Sequence, residues 1–569
     1  MEDHSSFHNS SLYSPDLAPV PHEKRTWNTW QLAALWVGMA VCIPTYLLAS
    51  YMIKSGLSWV ESLLIIGIAN LIITIPMVLN GHAGVKYGLP FPVIGRAAFG
   101  TKGIHVASIV RGVVACGWFG VQTWVGGLAI YEIINALTGN PSVPQLTLLK
   151  FGGFFIFWII NMYFIWKGTE SIKWLEEYSA PILIFMGVLL IGWGAWQAKG
   201  FGIVLKQSEQ LGITSAALTE IDGKWNLRLH PLTHKSGKEN KANEFQVKTN
   251  AKENDYWIAI PENLIFPLPD GIVNNAEFQK SKTVLVQFRK NSESIQMASS
   301  LVTAKAEPNI VESISSKIWK YILWLTAMVG FWATMAISIS DITRYSPSQK
   351  AQIRGQFMGL PGTMMLYSFV GIFVTCAAII NFNDILISED APWDPVSLLA
   401  KFQSPFVVIV AQIFMLIATL STNIAANVIA PANAFSNILP KHISFRTGGL
   451  ITGVIGILIC PWWLMNEIST ILIFVSGLLG PVLGILLSDY FLIRKKQLDV
   501  NELFNEKGIY SYSNGFNGIA VFALLTGIFS ALIGLWIPAL GFLYSLSWFT
   551  GFSVSFILYF VLMKRRIQK

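Results

Sequence analysis

The strongest constraint on this chain is a recurrence: apolar runs long enough to cross a bilayer follow one another almost from end to end. They cover residues 30–53, 59–80, 104–131, 149–167, 178–198, 318–340, 358–381, 405–431, 447–464, 467–493, 517–537 and 541–562. Each supplies the roughly 17 residues that a tilted helix needs to cover about 30 Å of hydrocarbon. Lipid cannot hydrogen-bond a backbone, which leaves only helices or a closed barrel. A barrel would show short alternating strands, and these runs do not alternate. Only 13% of the residues are charged and mean hydropathy is +0.52, against about a quarter charged in a soluble domain. The reading is an all-α integral membrane protein with about twelve transmembrane helices, numbered below as spans one to twelve.

Lys and Arg collect in alternate connections. They lie in the N-terminal tail, in GHAGVKYGLPFPVIGRAAFGTKG (81–103), KGTESIKW (167–174), RYSPSQKAQIRG (344–355), PKHISFRTGG (440–449) and IRKK (493–496), and in the tail MKRRIQK (563–569). The positive-inside rule makes these segments and both termini cytoplasmic, in a multi-pass protein of the cell (inner or plasma) membrane. The formal charge of +8 then reflects topology and lipid contact rather than nucleic acid. The polar, Pro/Ser-rich start lacks the pattern of a cleavable signal peptide. Cys42, Cys116, Cys376 and Cys460 fall in or beside apolar runs and read as packing residues rather than a disulfide framework.

The chain divides into a tail (1–29), spans one to five (30–198), an insertion (199–317), spans six to ten (318–493), a cytoplasmic loop (494–516), two further spans (517–562) and a tail (563–569). The insertion is polar, nearly charge-balanced and expected outside the cytoplasm. Runs such as DYWIAIPENLIFPL (255–268) and KTVLVQFRK (282–290) suggest a small folded domain or an ordered excursion.

Three spans carry features that a lipid-facing helix does not need. Span one reads ALWVGMAVCIPTYLLAS (34–50): Gly38 loosens the helix, and Pro44 removes a donor and clashes one turn back. Carbonyls near Gly38 and Val41 are thereby freed toward a cavity, although a simple proline kink is the alternative. Span six, AMVGFWATMAISISDITRY (327–345), offers Gly330 as a weaker breaker at the corresponding position of a second repeat. Span eight, IATLSTNIAANVIAPAN (417–433), sets Ser421 and Thr422 one turn after Ala418, with Asn423 and Asn427 on one face. Hydroxyls and carbonyls suit a hard cation such as Na⁺ without a carboxylate; back-bonding to the helix and interhelical glue are the alternatives.

GWFGVQTWVGG (117–127) in span three places Trp118 and Gln122 four apart, on one face. An indole beside a carboxamide suits a small planar heterocycle: the ring stacks and the amide reads a donor–acceptor edge such as a ureide. Trp332 could cover the other side, while Trp124 fits the ordinary interfacial role of membrane tryptophans.

The segments WVGMAVCIPTYLLA, GHAGVKYGLPFPVIGRAAFG, RGVVACGWFGVQTWVGG, GFWATMAISISDITRY and STNIAANVIAPAN, in this order over residues 30–440, carry a resemblance. The chain resembles the nucleobase–cation symporter-1 family, which includes cytosine, uracil, allantoin and hydantoin permeases. The resemblance implies a five-plus-five inverted-repeat core of the leucine-transporter type with two C-terminal helices added. It implies that Trp118 stacks on the substrate, that Gln122 and Asn427 hydrogen-bond it, and that Trp332 encloses its other face. It also implies a Na⁺ site from the carbonyls of Gly38, Val41 and Ala418 and the hydroxyls of Ser421 and Thr422, with Asn423 as a helper. Two departures shape the pocket: Cys42 stands where relatives usually carry Asn or Gln, and Phe331 where the hydantoin carrier type has Gly. The expected partners are a small heterocycle of the allantoin, hydantoin or uracil class and the lipid bilayer. Na⁺ is the expected coupling ion, with H⁺ as alternative, and no organic cofactor is implied.

Other polar residues take structural readings. Arg111 is expected to snorkel or pair near the cytoplasmic end, Asp341 and Arg344 to form an i,i+3 salt bridge, and His82 and His105 to bind no metal. No intramembrane nucleophile–base pair or paired carboxylates point to an enzyme. A non-transporting receptor on the same fold is the rival class.

Overall fold

The structure, a computed structural model, describes residues 9–55, 57–143, 145–208, 215–230, 242–248, 257–292, 295–298, 302–306, 314–381, 396, 399, 400, 402, 404–464 and 468–568. Helix α1 (Thr29–Ala40) starts on a capping box between Asn28 and Gln31 and stops at Val41; α2 (Ile43–Lys54) restarts at 58° to it. Pro44 lies in the first turn of α2. A helix start leaves that N–H unpaired anyway, so the proline opens a helix here instead of kinking one.

Span two is α3 (Trp59–Tyr87), capped by Ser58 and Glu61 and closed by Gly88 in the left-handed region at φ 70°. Two one-turn helices, Phe91–Ile94 and Arg96–Phe99, lead to α4 (Ile104–Thr138), then α5 (Leu148–Lys167) and α6 (Thr169–Gln197). After the insertion come α7 (Ile314–Phe331), α8 (Ala333–Ser338) and α9 (Gln349–Asn381). Span eight divides into α10 (Pro405–Asn427) and α11 (Ile429–Ile438) at Val428. Then follow α12 (Phe445–Leu458), α13 (Ile468–Leu487), α14 (Gly518–Leu532) and α15 (Ser547–Gln568). Among the described residues ten helical stretches are long and apolar enough to cross a membrane, and eleven with the bent α1–α2 pair. The ninth expected span is the 14-residue α12 followed by the single turn Pro461–Leu464.

Two groups of helices pack against each other. Helices α1–α2, α3, α7–α8 and α9 form one, with α9 in contact with α1, α2 and α3. Helix α4 is the axis of the other, touching α5, α10, α11 and α12. Helices α13, α14 and α15 bind one another and lean on α7.

The glycines of GWFGVQTWVGG belong mainly to this packing. A Cβ on Gly127 would run into the backbone of Phe154 in α5, and one on Gly120 into the carbonyl of Gly456 in α12; Gly117 faces open space. Trp124 is buried against Phe151, Phe154 and Trp462, with ring centroids 5.4–5.8 Å away, so it is core rather than interface. Gly330 corrects an expectation: it lies inside α7, where a Cβ would strike Ser476 of α13, and the helix interrupts at Trp332 instead. Close approach to α13, not helix breaking, is what that glycine provides.

The insertion folds as a mixed sheet in the order β4-β3-β6-β8-β1-β2-β5, with β7 paired to β6. Its strands are β1 (Ser215–Ile221), β2 (Lys224–His230), β3 (Glu244–Lys248), β4 (Ile258–Ala259), β5 (Ile265–Pro267), β6 (Thr283–Ser292), β7 (Ile295–Ala298) and β8 (Val302–Ala306). Asp222 and Gly223, at φ 51° and 73°, close the β1–β2 hairpin, as two residues that tolerate positive φ should. Phe245, Phe278, Phe288, Val286 and Leu227 fill a separate small core. Arg289 on Glu244 holds that carboxyl below its usual range.

Gly127→Leu should destabilise the fold by about 1–3 kcal/mol through overpacking, read as a lower melting midpoint of the purified protein. Gly117→Ala, whose Cβ meets nothing within 4 Å, should leave the midpoint in place.

Candidate functional site

The break between α1 and α2 determines where the site lies. The Cys42 N–H turns back to the Ala40 carbonyl at 2.9 Å, and the Tyr46 N–H opens α2 on the Cys42 carbonyl at 3.3 Å. The Thr422 hydroxyl of α10 donates to the Gly38 carbonyl at 3.0 Å and reaches the Met39 carbonyl at 3.3 Å. Beside it Ser421 Oγ accepts from Ser179 Oγ of α6 at 3.1 Å. Ser179, Ser421, Thr422 and Ala418 are all buried. Neutral oxygens from α1, α6 and α10 therefore meet in one place with no carboxylate among them, a donor set that suits a monovalent hard cation. Sequence reasoning missed Ser179, because nothing in the local pattern of span five distinguishes it. The Val41 side chain lines a different small cavity, against Leu183 and Tyr367.

All six side chains expected at the substrate site line one cavity. Cys42, Trp118, Gln122, Phe331, Trp332 and Asn427 meet there, joined by Met39, Thr334, Met335, Ala426 and Thr422. The free space is about 20 Å³, room for roughly one water. Phe331 explains the tightness: its ring stands edge-on to Trp118 at 5.7 Å and against Trp332 at 4.9 Å. Trp332 is in turn held edge-on by Trp36 at 5.2 Å, a residue the sequence reading passed over although it sits in the same LWVGM segment. Two buried polar atoms of the lining have no hydrogen-bond partner among the described residues: Gln122 Oε1, an acceptor, and Trp332 Nε1, a donor. The Cys42 thiol lies 3.2 Å from the Thr45 hydroxyl and next to the Gln122 amide.

Asn423 is a knot between helices. The two hydrogens of its Nδ2 are shared among Phe119 O at 3.3 Å, Thr123 Oγ1 at 3.1 Å and Asn161 Oδ1 at 3.0 Å, and its Oδ1 accepts from Asn427 Nδ2 at 3.1 Å. It ties α10 to α4 and α5 and fixes Asn427 at the cavity wall.

Arg111 does not snorkel. It is 1% exposed; Nε donates to Thr334 O at 2.8 Å and Ser338 Oγ at 3.1 Å, and Nη2 to Ala426 O at 3.2 Å. Those carbonyls belong to the interrupted stretches of spans six and eight, so one guanidinium on α4 joins both interruptions. Nor do Asp341 and Arg344 form the expected ion pair. Asp341 Oδ1 accepts from the Phe91 N–H at 2.9 Å, while Arg344 donates to Asp16 O at 3.0 Å and Tyr345 OH at 2.7 Å. His82 Nδ1 meets Tyr490 OH at 2.9 Å, and His105 Nδ1 meets Asn437 at 3.2 Å.

The sequence matches the family described as permease for cytosine/purines, uracil, thiamine, allantoin over residues 19–225 and 278–556. The chain belongs to that family. The stretch left unmatched, 226–277, falls inside the insertion. The allantoin permease of Bacillus subtilis is 31% identical over 566 residues, covering 98% of this chain and 94% of its own. The purine-uracil permease NCS1 of Arabidopsis thaliana is 32% identical over 588 residues, covering 100% of this chain and 80% of its own. The fold matches that of MHP1, a nucleobase-cation-symport-1 family transporter solved closed with bromovinylhydantoin bound. The TM-score is 0.67 at 22% identity, over 97% of this chain and 96% of that one. The protein is thus a multi-pass membrane transporter of the nucleobase-permease class, all-α in its membrane part, and not an enzyme.

If Arg111 holds the two interruptions together, Arg111→Lys and Ser338→Ala should be coupled. A double-mutant cycle on unfolding of the purified protein should return about 0.5–3 kcal/mol; additive losses would place the two residues in separate roles.

Proposed function

We propose that the protein imports a small planar heterocycle or ureide of the allantoin, hydantoin or uracil class by cation symport through alternating access. The observation that carries this reading is the pairing of unsatisfied atoms in one cavity. Gln122 Oε1 lacks a donor and Trp332 Nε1–H lacks an acceptor, and both residues line the same cavity as a half-buried indole, Trp118. A buried polar group without a partner is costly. A ring edge presenting N–H beside C=O satisfies both atoms at once, as allantoin, hydantoin and uracil all do. Stacking on Trp118 requires Phe331 to swing away, because its ring stands against the indole. Binding and opening of the pocket are therefore one event. Asn427, held by Asn423 through its Nδ2, leaves its carbonyl oxygen for a substrate donor.

Na⁺ is the coupling ion in this reading, carried as co-substrate by the carbonyls of Gly38, Val41 and Ala418 and the hydroxyls of Ser421 and Thr422. Thr422 supports it twice: it bonds α1 and also lines the substrate cavity. An ion bound there favours the arrangement in which α1 and α10 present the pocket, and linkage makes the effect reciprocal. The bundle holding α1 and α7 then rocks against the one built on α4, the motion expected of inverted-repeat carriers. The Lys/Arg-rich connections and both termini face the cytoplasm, and the insertion faces the opposite side.

Cells expressing the chain should take up labelled allantoin in sodium medium and not in choline medium, with hydantoin, uracil and cytosine as competitors. Uptake indifferent to sodium but abolished by a protonophore would keep the pocket and move coupling to protons. Tight binding without net uptake would make the protein a receptor. Trp118→Ala should lose about 1–3 kcal/mol of substrate affinity, by analogy with base–aromatic stacking. Thr422→Ala should weaken substrate and Na⁺ together, and an unchanged Na⁺ dependence in that variant would remove Thr422 from the ion site.

A further inference from the structure

Away from the transport site, a crevice of about 460 Å³ opens where α5 ends and α12 begins, lined by Asp16, Lys167, Arg344, Ser444, Phe445 and Arg446 among others. Three cations face one carboxylate. Among the described residues neither Lys167 nor Arg446 has a carboxylate within ion-pair reach. Arg344 is 5% exposed, and its Nε has no partner while its other nitrogens are engaged. Ser444 caps the 14-residue helix α12, and the Phe445 N–H at that start already holds an anionic oxygen, Asp16 Oδ2 at 2.8 Å. A helix start that binds the chain's own carboxylate is an anion site by demonstration.

The aromatic surroundings of this crevice suit headgroup depth. Trp166 and Tyr163 are 57% and 58% exposed, the amphipathic rings that collect at a membrane interface. Arg446 lies 5.7 Å over the Trp166 ring and Lys167 5.5 Å over the Tyr163 ring. Both cations belong to the Lys/Arg-rich connections, on the side where anionic lipid gathers.

We propose that this crevice binds a phosphate group, as on an anionic phospholipid headgroup, between Lys167, Arg446 and the buried Arg344, in competition with the Asp16 carboxylate for the start of α12. A guanidinium pair and an ammonium around a phosphate are a common recognition set, the planar forks giving direction and the lysine a point charge. Because Asp16 lies on the segment before α1, phosphate binding loosens that segment's hold on α12.

The test uses the purified full-length protein in nanodiscs. In phosphatidylcholine containing phosphatidylglycerol, the melting midpoint should exceed that in phosphatidylcholine alone. Inorganic phosphate added to phosphatidylcholine discs separates a soluble source from a lipid one, and a rise in either arm supports the site. Lys167→Gln/Arg446→Gln should melt like the parent in phosphatidylcholine and lose most of the gain. Asp16→Asn, which removes the competitor, should reach its full gain at lower anionic lipid. The exposed tail pair Lys564→Gln/Arg565→Gln should keep the whole response. A midpoint insensitive to both sources, a Lys167/Arg446 variant that responds like the parent, or an equal loss in the tail variant would overturn the proposal.

Discussion

A helix that breaks inside a membrane exposes carbonyls where no water can reach them, and this fold is organised around satisfying those carbonyls. Thr422 takes Gly38 and Met39 at the break in span one. Arg111 takes Thr334 after the interruption at Trp332 and Ala426 before the one at Val428. Asn80 of α3 takes Ala336 and Ile337 of α8, at 2.8 and 2.7 Å. Every donor in this set sits on an unbroken stretch of α3, α4 or α10, and every acceptor lies in or beside an interruption. Regular helices hold irregular ones in place, and the cavity forms where the irregular ones meet.

This division explains why α4 is so rich in glycine and yet lines the cavity with Trp118 and Gln122. Gly120 and Gly127 allow α12 and α5 to close to backbone distance on one side. Trp118, Gln122 and Arg111 then project from a helix packed at backbone distance against its neighbours. A stacking indole is useful only if its plane is fixed, since a loose one gives its binding energy back as entropy. On the proposed reading, packing and binding in GWFGVQTWVGG are two sides of one segment: Trp124 and most of the glycines anchor it, and Trp118 and Gln122 use the anchorage.

Much of this was legible in the sequence. The spans followed from run length, the interruption of span one was one of two readings of Pro44, and the grouping of Trp118, Gln122, Trp332 and Asn427 in one cavity came with the family resemblance. What was not legible depends on contacts between residues far apart in the chain. Gly330 looked like a breaker because glycine is permissive, but its role is set by Ser476, 146 positions away and invisible to local pattern. Arg111 looked like a snorkelling residue because a charge in lipid is costly; its partners are backbone carbonyls, which leave no trace in residue identity. Asp341 and Arg344 had helical spacing, but their bonds go to Phe91 and Asp16 instead. The hairpin at Asp222–Gly223 did carry a signal that the β-like runs around it overshadowed.

On the proposed reading, Cys42 and Phe331 set how this pocket chooses its substrate. A thiol is a weak hydrogen-bond partner and here stays beside Thr45 and the Gln122 amide. Span one consequently contributes shape rather than a strong polar contact, and recognition falls on the free atoms of Gln122 and Trp332 and on Asn427. Sites that read a substrate by buried hydrogen-bonding groups reject analogues lacking them far more strongly than apolar walls reject a methylene. Met39 and Met335 in the wall adapt to shape, while Phe331 must leave the indole before any ring can enter. A pocket built this way discriminates sharply on the N–H/C=O edge and loosely on the substituent opposite it. It therefore sorts compounds by ring chemistry more than by size, which fits a family whose members are described by several different heterocycles.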